Sequence, residues 1–147
     1  MDYSVSLLAA CVLAFALTGI AVFGHYKILG VTTRALQRRP EDSFARVILG
    51  MGGVLLAHLT TVLLYALVYW IAGPALGGIH GKTEGTALDA FYLSLMSFTT
   101  LGVGDVYPHG GLRILSGIEA LNGFVLIGWS ASFTYVVMKN SWSKSQT

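Results

Sequence analysis

Three long apolar stretches, Val5 to Phe23, Val47 to Ile71 and Ile114 to Met138, constrain this chain most. A hydrocarbon core about 30 Å thick is crossed by about 20 apolar residues in a helix. Each stretch meets or nearly meets that length, and little of the 147 residues is left for a soluble domain. The composition agrees, with 54% hydrophobic and 11% charged residues, which is a membrane balance rather than a soluble one. The second and third stretches would each rise about 37 Å as helices, so tilt or interfacial overhang is expected. The fold class is therefore an all-α membrane protein with three transmembrane helices.

Between the second and third spans lies a shorter pattern. Thr86-Ala87-Leu88-Asp89 is a capping box, with Thr86 capping a helix and Asp89 answering it. The apolar run that follows is too short to span, so the helix is re-entrant. Irregular backbone at membrane depth is tolerated only where it is buried in protein or lines water. The C-terminal end of such a helix carries partial negative charge and favours a nearby cation. Thr99-Thr100-Leu101-Gly102-Val103-Gly104-Asp105 comes next. A cation leaves water when a ring of oxygens replaces its hydration shell, and backbone carbonyls can form that ring. Consecutive carbonyls reach one axis only with unusual dihedrals, and Gly102 and Gly104 can take positive φ without a Cβ penalty. Leu101 and Val103 would then point their side chains away from the axis.

The segment from about Phe44 to Met138 resembles the pore domain of tetrameric potassium channels. The residues that carry the resemblance are the Ser97-Phe98-Thr99 end of the short helix, the Thr100 to Gly104 filter and the exit Asp105-Val106-Tyr107-Pro108. The resemblance implies an outer helix over 47–71, a pore helix over 87–99, a filter over 100–104 and an inner helix over 113–138. It implies a homotetramer, in which three identical subunits are the partners and potassium ions permeate passively past Thr100, Leu101, Gly102, Val103 and Gly104. Asp105 would sit at the outer mouth and Gly123 would match the hinge glycine of the inner helix. No cofactor is expected, nor any metal beyond the permeating cations. No phosphate-binding loop, His-Glu-x-x-His or nucleophile with a nearby base is found, so no catalytic residue is assigned and the chain is not expected to be an enzyme.

The chain departs from the family pattern in places. Val103 stands where tyrosine or phenylalanine is common, which removes a ring and hydroxyl that brace the filter. Met96 replaces a glutamate found in some bacterial members, and Tyr92 and Leu93 fall where a tryptophan pair is common. A weakly selective cation channel and a non-conducting accessory subunit with a pore-like fold therefore stand as alternatives to a potassium-selective channel.

Residues 1–30 form an extra N-terminal transmembrane helix, lacking the regular arginines of a voltage sensor. Residues 31–46 read as a basic cytoplasmic linker, either a short interfacial helix or a solvated connection. Pro40, Glu41 and Asp42 suit the start of the second helix. Lys27, Arg34, Arg38, Arg39 and Arg46 lie between the first two spans, and Lys139 and Lys144 follow the third, in the tail 139–147. Both regions are thus expected in the cytoplasm, which leaves the N-terminus outside a cell membrane. The basic cluster is topological, with some attraction to anionic lipid, and does not point to nucleic acid. Cys11 is the one cysteine, so no intrachain disulfide exists.

Other polar residues have competing readings. His58 is expected to be a neutral histidine bonded to a neighbouring helix, rather than a ligand. Tyr65, Tyr69 and Trp70 suit an outer interface belt, Gly73-Pro74 a helix end, and Gly77 to Gly85 a glycine-rich external turret whose polar residues His80, Lys82 and Glu84 are expected to be solvated. Glu119 is the charged residue inside the last span, and an intramembrane carboxylate is expensive unless paired, hydrated or protonated. It shares one helix side with Ser116, Gly123, Leu126, Ser130 and Thr134. Either that side packs against other helices, with Glu119 supporting the filter from behind, or it faces water and tunes permeation. Gly117 and Gly128 suit close helix packing.

Overall fold

The computed structural model describes residues 3–40, 44–81 and 85–142. Three long helices, α1 (Tyr3–Leu36), α2 (Phe44–Leu76) and α4 (Leu112–Trp142), are joined with a short one, α3 (Ala87–Phe98). All three long helices are apolar enough to cross a membrane, whereas α3 is too short to do so. Two three-residue strands, β1 (Ile79–Gly81) and β2 (Val106–Pro108), pair antiparallel with His80 opposite Tyr107.

Helix α1 lies against α2 and α4. Its buried face is a seam of small and medium residues, Ala10, Ala14, Leu17 and Ala21, which meets Tyr65 and Tyr69 of α2 and Leu112 and Leu115 of α4. In lipid there is no hydrophobic gain from burying apolar helix faces, so small residues that admit close approach hold such contacts. At one end of α1 a Cβ on Gly111 would meet the Ser6 carbonyl at 3.0 Å, and at the other a Cβ on Gly53 would overlap the Thr32 side chain. A second cluster, Val62, Phe98 and Leu126, joins α2 and α4 to the end of α3.

Several element boundaries differ from the sequence expectation. The stretch expected as a separate linker or interfacial helix begins inside α1, which continues to Leu36 before the turn at Gln37–Arg39. Thr32 packs on α2 and Leu36 is buried, so this end of α1 has protein to pack on. Helix α2 passes through Pro74 and ends at Leu76. A proline this close to a C-terminus disturbs little of the ladder, and the Gly78 amide closes the end by donating to the Gly73 carbonyl at 2.8 Å. Helix α4 runs on to Trp142. In the glycine-rich turret His80 is exposed, as expected, while β1 pairs with β2, the strand that follows Asp105. Tyr65 and Tyr69 are fully buried rather than interfacial, while Trp70 is exposed. No atom lies within 4 Å of a Cβ built on Gly117 or Gly128, so close packing within the chain does not explain these glycines. Glu41 and Asp42, Lys82 and Glu84, Lys144 and the side chain of Trp142 lie outside the described residues.

Candidate functional site

Helix α3 begins at the capping box that the sequence spells. The Thr86 side chain accepts from the Asp89 amide at 3.1 Å, and the Asp89 carboxylate accepts from the Thr86 amide at 2.9 Å. Both halves of the capping box are therefore present, satisfying two of the amides that a helix start leaves unpaired. At the other end, the Thr99 amide donates to the Leu95 carbonyl at 3.1 Å and the Thr100 amide to Ser97 at 2.9 Å. The Gly102 amide then reaches back to the Met96 carbonyl at 3.2 Å, which ties the next strand to the helix end.

Along that strand the sign of φ alternates. Thr100, Gly102 and Gly104 have φ of 59°, 57° and 86°, and Leu101 and Val103 do not share the left-handed region. In an ordinary strand successive carbonyls point to opposite sides. Reversing the handedness at every second residue turns alternate peptide planes over and lets consecutive carbonyls face one side. Glycine adopts this conformation freely, but Thr100 carries a Cβ and is held there at a cost of about 1–2 kcal/mol. Sequence reasoning found the two glycines and missed the threonine.

The whole stretch from Thr99 to Asp105 is exposed in one chain. Leu101 and Val103 are 66% and 59% exposed, so the surroundings expected for these side chains are not supplied by their own chain. At the exit the Asp105 carboxylate accepts from the Tyr92 hydroxyl and from the Val106 amide, both at 3.0 Å. The bond to Asp105 holds the Tyr92 phenol in its neutral form and raises its pKa above the ordinary value. Tyr92 of α3 thus supplies a ring and hydroxyl beside Asp105, which Val103 cannot supply.

Glu119 lies against α2 and α3 and is 0% exposed within a single chain. One carboxyl oxygen accepts from the Tyr69 hydroxyl of α2, and the other from the Ser94 hydroxyl of α3 at 2.5 Å. Ser94 also reaches the Val62 carbonyl at 2.9 Å, and Ser97 and Ser116 are 2.7 Å apart. Leu126 and Ser130 are buried as well. The polar stripe of α4 is therefore a packing surface, and the water-facing alternative for Glu119 is corrected. Two neighbouring helices, α2 and α3, supply the partners that a carboxyl group needs at this depth.

Gly123 sits where a Cβ would overlap the Phe98 carbonyl. Its smallness lets α4 touch the end of α3, a reason for glycine independent of hinging. Below this contact the Ser130 hydroxyl lies 3.0 Å from Nε2 of both His25 and His58. The two rings stack at 5.3 Å, and His58 also meets Phe98 at 5.4 Å. His58 is thus bonded to a neighbouring helix, as expected. The part played by His25 and Ser130 was not legible, because nothing local links residues so far apart in sequence. No group of three or more metal-ligating side chains occurs among the described residues.

Residues 47–140 match a family model described as ion channel. The chain is also 34% identical over 79 residues to the inward rectifier potassium channel Kirbac3.1 of Paramagnetospirillum magnetotacticum. That alignment covers 53% of this chain and 26% of the relative, so the chain spans about a quarter of the relative it matches. No solved structure matches. The matched region holds α3, the strand with alternating φ and nearly all of α2 and α4, and the chain is accordingly a multi-pass membrane protein of the ion-channel family.

Proposed function

We propose that four copies of this chain assemble around a shared axis and conduct potassium passively through carbonyls of Thr100 to Gly104. The observation that carries this reading is the alternating φ of that strand, anchored at a pore-helix end and left uncovered by its own chain. One strand cannot surround an ion, and a ring of carbonyls replaces a hydration shell only when several strands contribute. Kirbac3.1, to which the pore region is similar, is named a potassium channel. The work of the site is desolvation and recoordination of the cation, with no bond made or broken, so the protein acts as a channel rather than an enzyme. Asp105 marks the outer mouth, and the basic residues between α1 and α2 put that loop in the cytoplasm, leaving the filter exit and N-terminus outside. A hinge at Gly123 would have to release its contact with Phe98. Anionic lipids are the partners suited to Arg34, Arg38 and Arg39.

Val103 favours a second reading, a weakly selective cation pore, because the filter residue itself offers no ring to brace the cage. Flux from liposomes of purified protein under potassium and then sodium gradients separates the two. Potassium flux far above sodium flux supports the first; comparable fluxes establish the second; no flux of either leaves an accessory subunit. Gly102→Ala should abolish flux while leaving expression intact, since alanine at φ of 57° costs about 1–2 kcal/mol in each chain. Wild-type flux from that variant would refute the carbonyl cage.

A further inference from the structure

We propose that His80 and His109 form a binding site for a divalent transition-metal ion, clamping the turret to the filter exit. His80 lies on β1, opposite Tyr107 of β2, and His109 follows two residues after Tyr107. His109 lies one residue past the end of β2, but its amide donates to the Gly78 carbonyl and carries the pairing on, so His80 and His109 are diagonal neighbours across the two strands. Their ring centres are 5.5 Å apart and their planes cross at 72°. A zinc–nitrogen bond of about 2.0–2.1 Å places each ring centre about 3.2 Å from the metal, so two imidazoles at a tetrahedral angle have centres about 5.2 Å apart. The observed separation of the ring centres is close to that spacing.

The supporting contacts also suit a ligand. His80 Nε2 lies 3.3 Å from the Gly77 carbonyl. A carbonyl only accepts, so Nε2 carries the proton and Nδ1 keeps its lone pair for a metal. A ligating histidine commonly gives its other N–H to a backbone carbonyl in this way. Tyr107 stacks against His80 at 6.2 Å. The His109 amide donates to the Gly78 carbonyl at 3.0 Å, and a Cβ on Gly77 would overlap the His109 carbonyl. Both ligand-bearing backbones are therefore fixed before any ion arrives, so little ordering opposes binding. Both histidines are exposed. Two imidazoles with water completing the shell suit copper(II) most tightly, then zinc and nickel, and do not suit the hard cations calcium and magnesium.

The claim concerns binding and does not depend on conduction or on subunit number. Zinc titrated calorimetrically into the purified full-length protein should bind one ion per chain, and the copper(II) form should show two imidazole nitrogens by electron paramagnetic resonance. His80→Ala and His109→Ala, each checked for a wild-type elution profile and melting point, should each weaken zinc binding by at least about tenfold. Smaller losses in either variant, fewer than two nitrogens in the copper spectrum, or no zinc binding by the wild-type protein at submillimolar metal would overturn the proposal. A failed flux assay alongside intact metal binding would instead bear only on the channel reading.

Discussion

Replacing Glu119 separates a closed hydrogen-bond network from a carboxylate that serves permeation. Both of its oxygens are engaged, one by Tyr69 and one by Ser94, and the side chain is fully buried. Alanine would strand the Tyr69 hydroxyl without this acceptor, at about 1–3 kcal/mol. It would also open a cavity of about 50 Å³, worth about 1 kcal/mol at ~24 cal/mol per Å³. Ser94 retains the Val62 carbonyl, so its loss is only the net value of one bond, about 1 kcal/mol. Glu119→Ala is thus expected to destabilise each chain by about 3–5 kcal/mol.

Glutamine has the same shape but different donors. Its carbonyl can accept from Tyr69, while its amide nitrogen can donate to Ser94, whose single hydroxyl proton then goes wholly to Val62. Every polar group keeps a partner, so Glu119→Gln should stay within about 1 kcal/mol of wild type. By thermal melting of purified protein in nanodiscs, the alanine variant should fall by on the order of 10 °C and the glutamine variant hardly at all. Single-channel conductance of the glutamine variant should equal that of wild type, because the pore helix and α2 shield this position. If glutamine destabilises as much as alanine, or changes conductance, the closed-network argument fails.

Ser130→Ala removes the hydroxyl shared by His25 and His58 and should destabilise by about 1–3 kcal/mol, measured by the same melting assay; an unchanged midpoint would show that the histidines repartner. Gly53→Val should lower stability by about 1–3 kcal/mol by overpacking against Thr32, whose hydroxyl is tied to the Ile28 carbonyl at 2.9 Å. Gly52→Val, with nothing within 4 Å of its Cβ, is the matched control and should be the milder change. Tyr92→Phe removes the brace on Asp105 and should speed amide hydrogen exchange at Val106, whose N–H the same carboxylate accepts. Since the phenol pKa is raised above 10.0 by this bond, its stabilising contribution is intact below that pH and is lost as pH climbs through the raised value. Equal exchange in wild type and variant at neutral pH would show that the brace is idle.

The features legible in the sequence were those whose cause is local. The Thr86 to Asp89 box works over three residues, and its bonds form as its spelling implies. Gly102 and Gly104 advertise positive φ because glycine is the residue that tolerates it, whereas Thr100 hides the same conformation under an ordinary side chain. The basic residues Arg34, Arg38 and Arg39 read as a linker, yet α1 continues to Leu36, and Thr32 and Thr33 fit within it because each hydroxyl bonds the carbonyl four residues back. A threonine so paired presents mainly its methyl to its neighbours.

The facing of Glu119 needed a fact about another helix, yet the sequence carries a trace of it. Polar groups in a span must find partners at their own depth, because lipid offers none. Helices α2 and α4 run antiparallel, so a step forward on one is matched by an equal step back on the other. Tyr69 meets Glu119, and His58 reaches Ser130. The two residues on each helix are separated by the same interval, about three helical turns, which returns them to one face. The matched spacing of one tyrosine and one histidine with one glutamate and one serine fixes the register of the two spans. Gly50 against Val137 extends that register toward the other end. Periodicity within a single helix could say that Glu119 and Ser130 share a side. Equal spacing of polar residues on two helices says what that side faces.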